Sequence, residues 1–483
     1  MKSNIIHRGI FLSAVFAAAG MFAGCDVFDL NEDPKSFIAP ENFFQTPDQI
    51  ESVLSTCQSR CFQVWRNAYD NNPALFRHDD QNAGGDLIIP LNHAASFYNL
   101  HYANIKDLNF AIAAIVNGNI DNAPASVRDQ LMGQLKFLRA WNYFQLVRMW
   151  GDIPLLTEET VDYFNYLPSR APIADVYALI VSDFTEAANM LPDDWGGLVG
   201  RPNRWAAKAL LAKVHLTMAT APMNDQTNYA KAAALAKEVI QSGKYSLVED
   251  IAKVFSMETK YGPEMMWSFN GNNTHPATNP KIWSGIYGWG DHSADIWWVE
   301  NVYPEQPRKY AYIEILDHDG VRYSDLPNKV PGIQKYLYDS WEDFNKGRSI
   351  INIPIIRYAD VLLIFAEAEN MVNGGPTQEA VDAINEVIDR ANGYVDNPNY
   401  PLLTTAMSRD EFDAAVIDER SFELCFEYDR WFDLVRKRIL QEKSRPEIQG
   451  NFSEHIYLFP IPEKELRLNP NMKQNSGYQT STE

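Results

Sequence analysis

The sequence predicts an all-α fold of helical hairpins, tetratricopeptide-like in length, with one irregular, aromatic-rich lobe set into it. Two observations carry that expectation. Amphipathic stretches with the 3.6-residue period recur at about 94–117, 124–149, 172–190, 204–221, 227–242, 357–373, 376–392, 409–426 and 429–440. Residues 261–347, between them, lack that period, are rich in Gly, Pro, Asn and Asp, and hold six of the 12 Trp. An even spread would place about two Trp in a segment of that length, so the lobe concentrates rings for a reason.

At the N-terminus, Lys2 and Arg8 precede an uncharged apolar run from Gly9 to Gly24. A basic start and an apolar run too short for a comfortable bilayer span make a signal-peptide pattern. The run ends Phe22-Ala23-Gly24-Cys25, small residues directly before a cysteine, and so resembles a bacterial lipoprotein signal. Residues 1–24 are then the removed signal, and Cys25 is the lipidated N-terminus. No other apolar run approaches about 18 residues, which leaves the acyl-cysteine as the expected attachment to outer-membrane lipid. Residues 25–45 are acidic, aperiodic and read as a tether; at ~3.3 Å per residue it reaches up to ~65 Å.

The chain of 483 residues carries a formal charge of −21, and removal of Lys2 and Arg8 with the signal takes it to −23. Such a chain repels the phosphates of nucleic acid, which excludes DNA and RNA as partners. An apolar fraction of 46% excludes a disordered protein. Cysteine arithmetic adds little: Cys57 and Cys61 fall on the apolar face of a helix with Ile50, Val53 and Leu54, and Cys425 makes the remainder odd, so buried free thiols are expected rather than a metal site.

The helices have recognisable ends. Thr46-Pro47-Asp48-Gln49 and Ser408-Arg409-Asp410-Glu411 are capping boxes, and Gly151, Pro192, Pro222, Gly243, Gly374 and Gly393 stand where periodic runs stop. Paired helices such as 204–221 with 227–242 make hairpins of about 35–40 residues, close to a tetratricopeptide unit, although the internal repeat is too weak to establish a regular solenoid.

Catalytic and cofactor motifs are absent. Gly288-Trp289-Gly290 is followed by Ser293 where a dinucleotide fingerprint needs Gly, and no phosphate-binding loop, zinc helix or nucleophile elbow occurs. Asp317-His318-Asp319-Gly320 opens like a calcium loop but lacks the closing Glu, and reads as a turn. The expectation is therefore a non-catalytic protein with no cofactor and no metal. A helical glycoside hydrolase with paired carboxylates is the alternative of a different class.

Rings in loops offer flat apolar faces at low ordering cost, and such faces match the C–H side of a pyranose. Trp283, Trp289 and Trp298 are the expected stacking residues, with Asp291 and Arg308 as polar partners. Tyr69 and Asp80, in a polar stretch between two helices, are weaker candidates, since a capped helical connection explains them equally well. For any single lobe Trp, packing into a core is as good a reading as display.

Several blocks then suggest a family. Leu30-Asn31-Glu32-Asp33-Pro34, the run Phe137 to Leu155 with Arg139-Ala140-Trp141 and Gly151-Asp152-Ile153-Pro154, Arg201-Pro202-Asn203-Arg204-Trp205, Arg357-Tyr358-Ala359-Asp360 and Glu419-Arg420 through Arg430-Trp431-Phe432-Asp433 together resemble the SusD/RagB outer-membrane lipoproteins. The likeness spans Cys25 to about Tyr478, with a helical region at 46–225 and a C-terminal region at 226–483. It departs at Tyr428, where the family commonly has Gly. The resemblance implies four tetratricopeptide-like hairpins, a glycan ligand or in some members a peptide, and a SusC-like TonB-dependent transporter as partner. Arg420, Glu427, Arg430 and Asp433 are expected to form a buried charge network holding the C-terminal helices.

Overall fold

The computed structural model describes residues 43–66, 94–160, 166–337, 340–427 and 429–479. Cys25, Tyr69, Asp80 and Tyr428 lie outside the described residues. The chain divides into two units, Met1–Phe43 and Phe44–Glu483, and the second holds the helices and strands described below and the candidate site.

Helix α1 (Pro47–Arg66) opens on the expected capping box: Gln49 N–H donates to Thr46 Oγ1 at 3.4 Å, and Thr46 N–H donates back to Gln49 Oε1 at 3.1 Å. Helices α2 (Ala95–Val116), α3 (Ala125–Trp150), α4 (Ile173–Met190), α5 (Arg204–Met218) and α6 (Asn228–Gln241) follow, each packed on its predecessor. The lobe comes next, with four short helices, α7 (Pro280–Trp283), α8 (Ile296–Asn301), α9 (Pro307–Tyr312) and α10 (Trp341–Asn345). Two small antiparallel sheets join them. Strand β1 (Met265–Phe269) pairs with β4 (Ile353–Arg357), and β2 (Ile313–Glu314) with β3 (Gly332–Ile333).

The helical series then resumes with α11 (Tyr358–Asn373), α12 (Gln378–Ala391), α13 (Arg409–Glu423) and α14 (Arg430–Lys437), and α11 packs on α6 so that the hairpins continue across the inserted lobe. The fold is the predicted class, mostly helical and tetratricopeptide-like.

Helix ends deviate where backbone chemistry intervenes. The run predicted to 221 stops at Met218, because Pro222 cannot donate and disfavours the helical region in Ala221. The run predicted to 426 stops at Glu423, and Phe426 takes a left-handed φ of 64° before α14 begins, two positions ahead of Tyr428. Arg438, also left-handed, closes α14.

The core is aromatic along α3: Trp141 and Trp150 are fully buried, and Trp150 packs on Tyr98 of α2 at 5.0 Å and on Phe459 at 6.1 Å. Cys57 and Cys61 are buried free thiols, Cys425 is buried with its Sγ–H donating to Phe422 O, and burial pushes the Cys57 thiol up to about 12.

A buried charge cluster fastens the lobe to the helices. Arg357 at the end of β4 meets Glu264 at 2.5 Å, Glu423 at 2.8 Å and Glu427 at 2.8 Å. Arg390 of α12 takes Glu264 at 2.6 Å and Glu423 at 2.7 Å, while Lys335 takes Glu427 at 2.6 Å. Burial alone pushes the Glu423 carboxyl up, but Arg390, Arg357 and Arg308 together hold it well below the usual carboxylate range. A second cluster locks the last helices: Arg420 to Asp433 at 2.8 Å and to Asp360 at 2.7 Å, and Arg436 to Glu367 at 2.5 Å. The expected network is therefore two networks, with Glu427 in the first and Arg420 and Asp433 in the second, while Arg430, also buried, donates to Ile417 O at 3.4 Å.

Candidate site: an exposed aromatic platform

The lobe sorts its rings into two groups. Trp283, Trp298 and Arg308 are interior, which corrects their expected role as ligand contacts. Trp283 is 2% exposed, packs on His292 at 4.8 Å and on Tyr336 at 5.8 Å, and donates its Nε1–H to Thr278 Oγ1. Trp298 is 0% exposed, because Asp295 caps α8 through the Trp298 N–H and turns that face inward onto Tyr303 at 4.9 Å and Phe426 at 6.0 Å. A ring without accessible surface offers no face to a sugar. Arg308 is bound to Glu419, and to Glu423 at 2.7 Å, so its donors serve the charge cluster.

Trp289 is the reverse case, 63% exposed, and Asp291 beside it is also exposed. The turn carrying Trp289 is tightly built. Trp289 N–H donates to Lys281 O at 2.6 Å, and a Cβ on Gly288 would lie 2.2 Å from that same oxygen, so only glycine allows the close approach.

Around this turn three further rings meet at the surface. Tyr287 and His318 have centroids 4.8 Å apart, Tyr287 and Trp341 5.0 Å, and His318 and Trp341 4.5 Å. Trp341, the first residue of α10, is 40% exposed, and His318 is exposed. The Tyr287 hydroxyl accepts the His318 N–H at 2.7 Å, which ties the Asp317–Gly320 turn to the Trp289 loop. Lys281 Nζ donates to Asn345 O at 3.0 Å and ties that loop to α10. The Asp317 carboxylate accepts N–H groups of Asp319 and Val321 at 2.9 and 2.8 Å, as a turn-forming Asp does.

Nothing in the sequence singles out Tyr287 and Trp341, and His318 reads there only as part of a turn. They come from positions 287, 318 and 341, and no periodicity links three separate segments. Chemically the platform offers flat faces with polar edges, able to stack on an apolar ring face and to hydrogen-bond at its rim.

A cavity of about 590 Å³ lies elsewhere, bounded by α3, α14 and the C-terminal segment, and includes Arg148, Arg170, Phe432, Arg436 and Tyr457 in its wall. Three of its arginines are committed to the protein. Arg436 is held by Glu367 and Asp433, Arg148 by Asp429, and Arg170 by the carbonyls of Trp150, Asp152 and Lys473. This concavity belongs to the scaffold rather than to the platform.

Two sequence profiles match most of the described chain: one described as SusD family covers residues 249–478, and one described as starch-binding, associating with outer membrane, covers residues 45–216. SusD-like protein P2 of Formosa agariphila is 29% identical, over 94% of this chain and 97% of its own length. The starch-binding protein SusD of Bacteroides thetaiotaomicron is 23% identical, over 71% of this chain and 72% of its own. A solved SusD homologue from Bacteroides thetaiotaomicron superposes with a TM-score of 0.78 at 22% identity, over 91% of this chain and 98% of that one, and so shows the same fold. With profiles of one kind over both the hairpins and the lobe, and a relative aligned nearly end to end, the chain belongs to the SusD family.

Proposed function

We propose that this protein is a non-catalytic glycan-binding lipoprotein of the outer membrane that captures oligosaccharide at the cell surface and delivers it to a SusC-like TonB-dependent transporter. The observation that carries the reading is the exposed ring cluster of Tyr287, His318 and Trp341 beside Trp289 and Asp291, on a chain of the SusD family. The starch-binding description of one matching profile and of the Bacteroides thetaiotaomicron relative supports a glycan as the ligand class. A strongly negative chain also favours a neutral ligand held by stacking over a polyanion held by charge. The lipid anchor rests on the residues around Cys25, and the transporter partner on the family resemblance.

Native gels cast with starch, a β-glucan or a xylan test the reading: the chain should be retarded in at least one. Trp289→Ala and Trp341→Ala should each weaken retention about three- to tenfold, the worth of one stacked ring. Product analysis after incubation should show every glycan intact. Retention on peptide digests without retention on any polysaccharide would assign a peptide ligand instead, and cleavage lost on replacing one carboxylate would assign a hydrolase.

For the anchor, Cys25→Ser expressed without the transporter should move from the membrane fraction to the soluble one. Continued partition with membranes would sink the lipidation site.

A further inference from the structure

Glu314, on β2, lies buried under the turn that carries Tyr287 and Trp289. Its Oε2 accepts the N–H of Gly285 at 2.8 Å and of Ile286 at 3.1 Å. The Ser284 hydroxyl donates to the same carboxylate, at 2.8 Å to Oε1. Ser284 Oγ in turn accepts the N–H of Tyr287 at 2.9 Å and of Gly288 at 3.2 Å. Four consecutive N–H groups, 285 to 288, therefore end on one carboxylate and one hydroxyl. The space is closed as well: a Cβ on Gly332 of β3 would lie 2.2 Å from Glu314 Oε2.

We propose that Glu314, acting through Ser284, is the positioning residue that fixes the aromatic platform. The inference rests on the reading of that platform as the ligand face. Two N–H groups fill both lone pairs of Ser284 Oγ, so its own proton goes to Glu314, and Glu314 meets donors on both oxygens. An acceptor-only carboxyl is the ionised form. Protonation removes the charge from that acceptor and weakens its hold on the Gly285, Ile286 and Ser284 donors, so the turn loosens.

Burial pushes the Glu314 carboxyl up to about 7, against the pull of the Ile286, Ser284 and Gly285 donors and of Lys329. Ionisable groups on the surrounding segments include Lys281 on α7, held by Asn345 O; Tyr287 in the turn, with Asp291 and the buried His292 just after it; Asp317, His318 and Asp319 after β2; and Lys335 after β3, held by Glu427. The folded value lies above the ordinary 4.5, so ionisation of Glu314 costs folding stability as pH rises toward 7, and that cost is absent below about 4.5. For this group acid favours the folded chain yet loosens the turn, and a merely structural carboxylate would move stability and binding together.

Hydrogen exchange at pH 8 tests the proposal on the fragment spanning 284–290. Glu314→Gln and, independently, Ser284→Ala should raise exchange there about tenfold while α3 is unchanged. On starch gels, wild-type retention should fall several-fold from pH 8 to pH 6, and retention of Glu314→Gln should be weak and flat with pH. Unchanged exchange in both variants overturns the positioning role, whatever is bound. Faster exchange in a chain that no polysaccharide retains upholds it and removes the glycan reading instead.

Discussion

Replacing Arg357 by Ala should lower the unfolding free energy by about 3–5 kcal/mol, as measured by urea denaturation. The size follows from what is left behind. Arg357 spans three carboxylates, Glu264, Glu423 and Glu427, and its guanidinium also donates to Glu423 O at 2.7 Å. All of these groups are buried, so water cannot replace the lost partner. Lys335 and Arg390 remain, but each already serves its own contacts.

The charges in this cluster cancel: Arg308, Lys335, Arg357 and Arg390 face Glu264, Glu419, Glu423 and Glu427. Removing one cation therefore leaves a net buried negative charge. By contrast, Lys237→Ala, which breaks the exposed pair with Glu379, should leave the midpoint where it was. A loss below about 1 kcal/mol for Arg357→Ala would mean that the cluster is reached by water and does not fasten the lobe.

How much of this was legible in the sequence differs between the helices and the lobe. A helix announces itself locally. Ser408 and Glu411 form the capping box that their spacing predicts, at 3.3 Å and 2.9 Å, and Gly374 sits left-handed after α11 where a periodic run stops.

In the lobe, direction is set by partners far away in sequence. Arg308 among aromatic residues reads as a ligand contact, yet Glu419 and Glu423, more than a hundred residues later, claim it. A signal for that was present: Glu419, Glu423 and Glu427 recur every four residues, which is one helical face through the end of α13, and an acidic stripe beside apolar residues calls for buried cations. The platform gave no such signal. Its rings sit on a loop, a turn and the first residue of a short helix, and contacts between residues distant in sequence, the Tyr287 hydroxyl and the Lys281 ammonium among them, bring those segments together. Tyr69 and Asp80 stay as sequence expectations.

Trp298→Ala should cost about 3–5 kcal/mol of stability, whereas Trp289→Ala should change it by no more than about 0.5 kcal/mol while weakening polysaccharide retention. The two rings are nine residues apart in the same lobe, so composition cannot separate them, but burial does. Removing Trp298 leaves a cavity bounded by Tyr303, Phe422 and Phe426, and α8 is pinned by its Asp295 cap, which limits how far the walls can close. Removing Trp289 deletes surface already in water. Trp283→Ala belongs with Trp298, since His292, Tyr336 and Thr278 surround it. The decisive comparison is stability against retention for all three variants. Trp289→Ala losing retention at unchanged stability marks a displayed ring. Trp298→Ala losing less than about 1 kcal/mol would show that its side is open after all, and would return it to the list of ligand contacts.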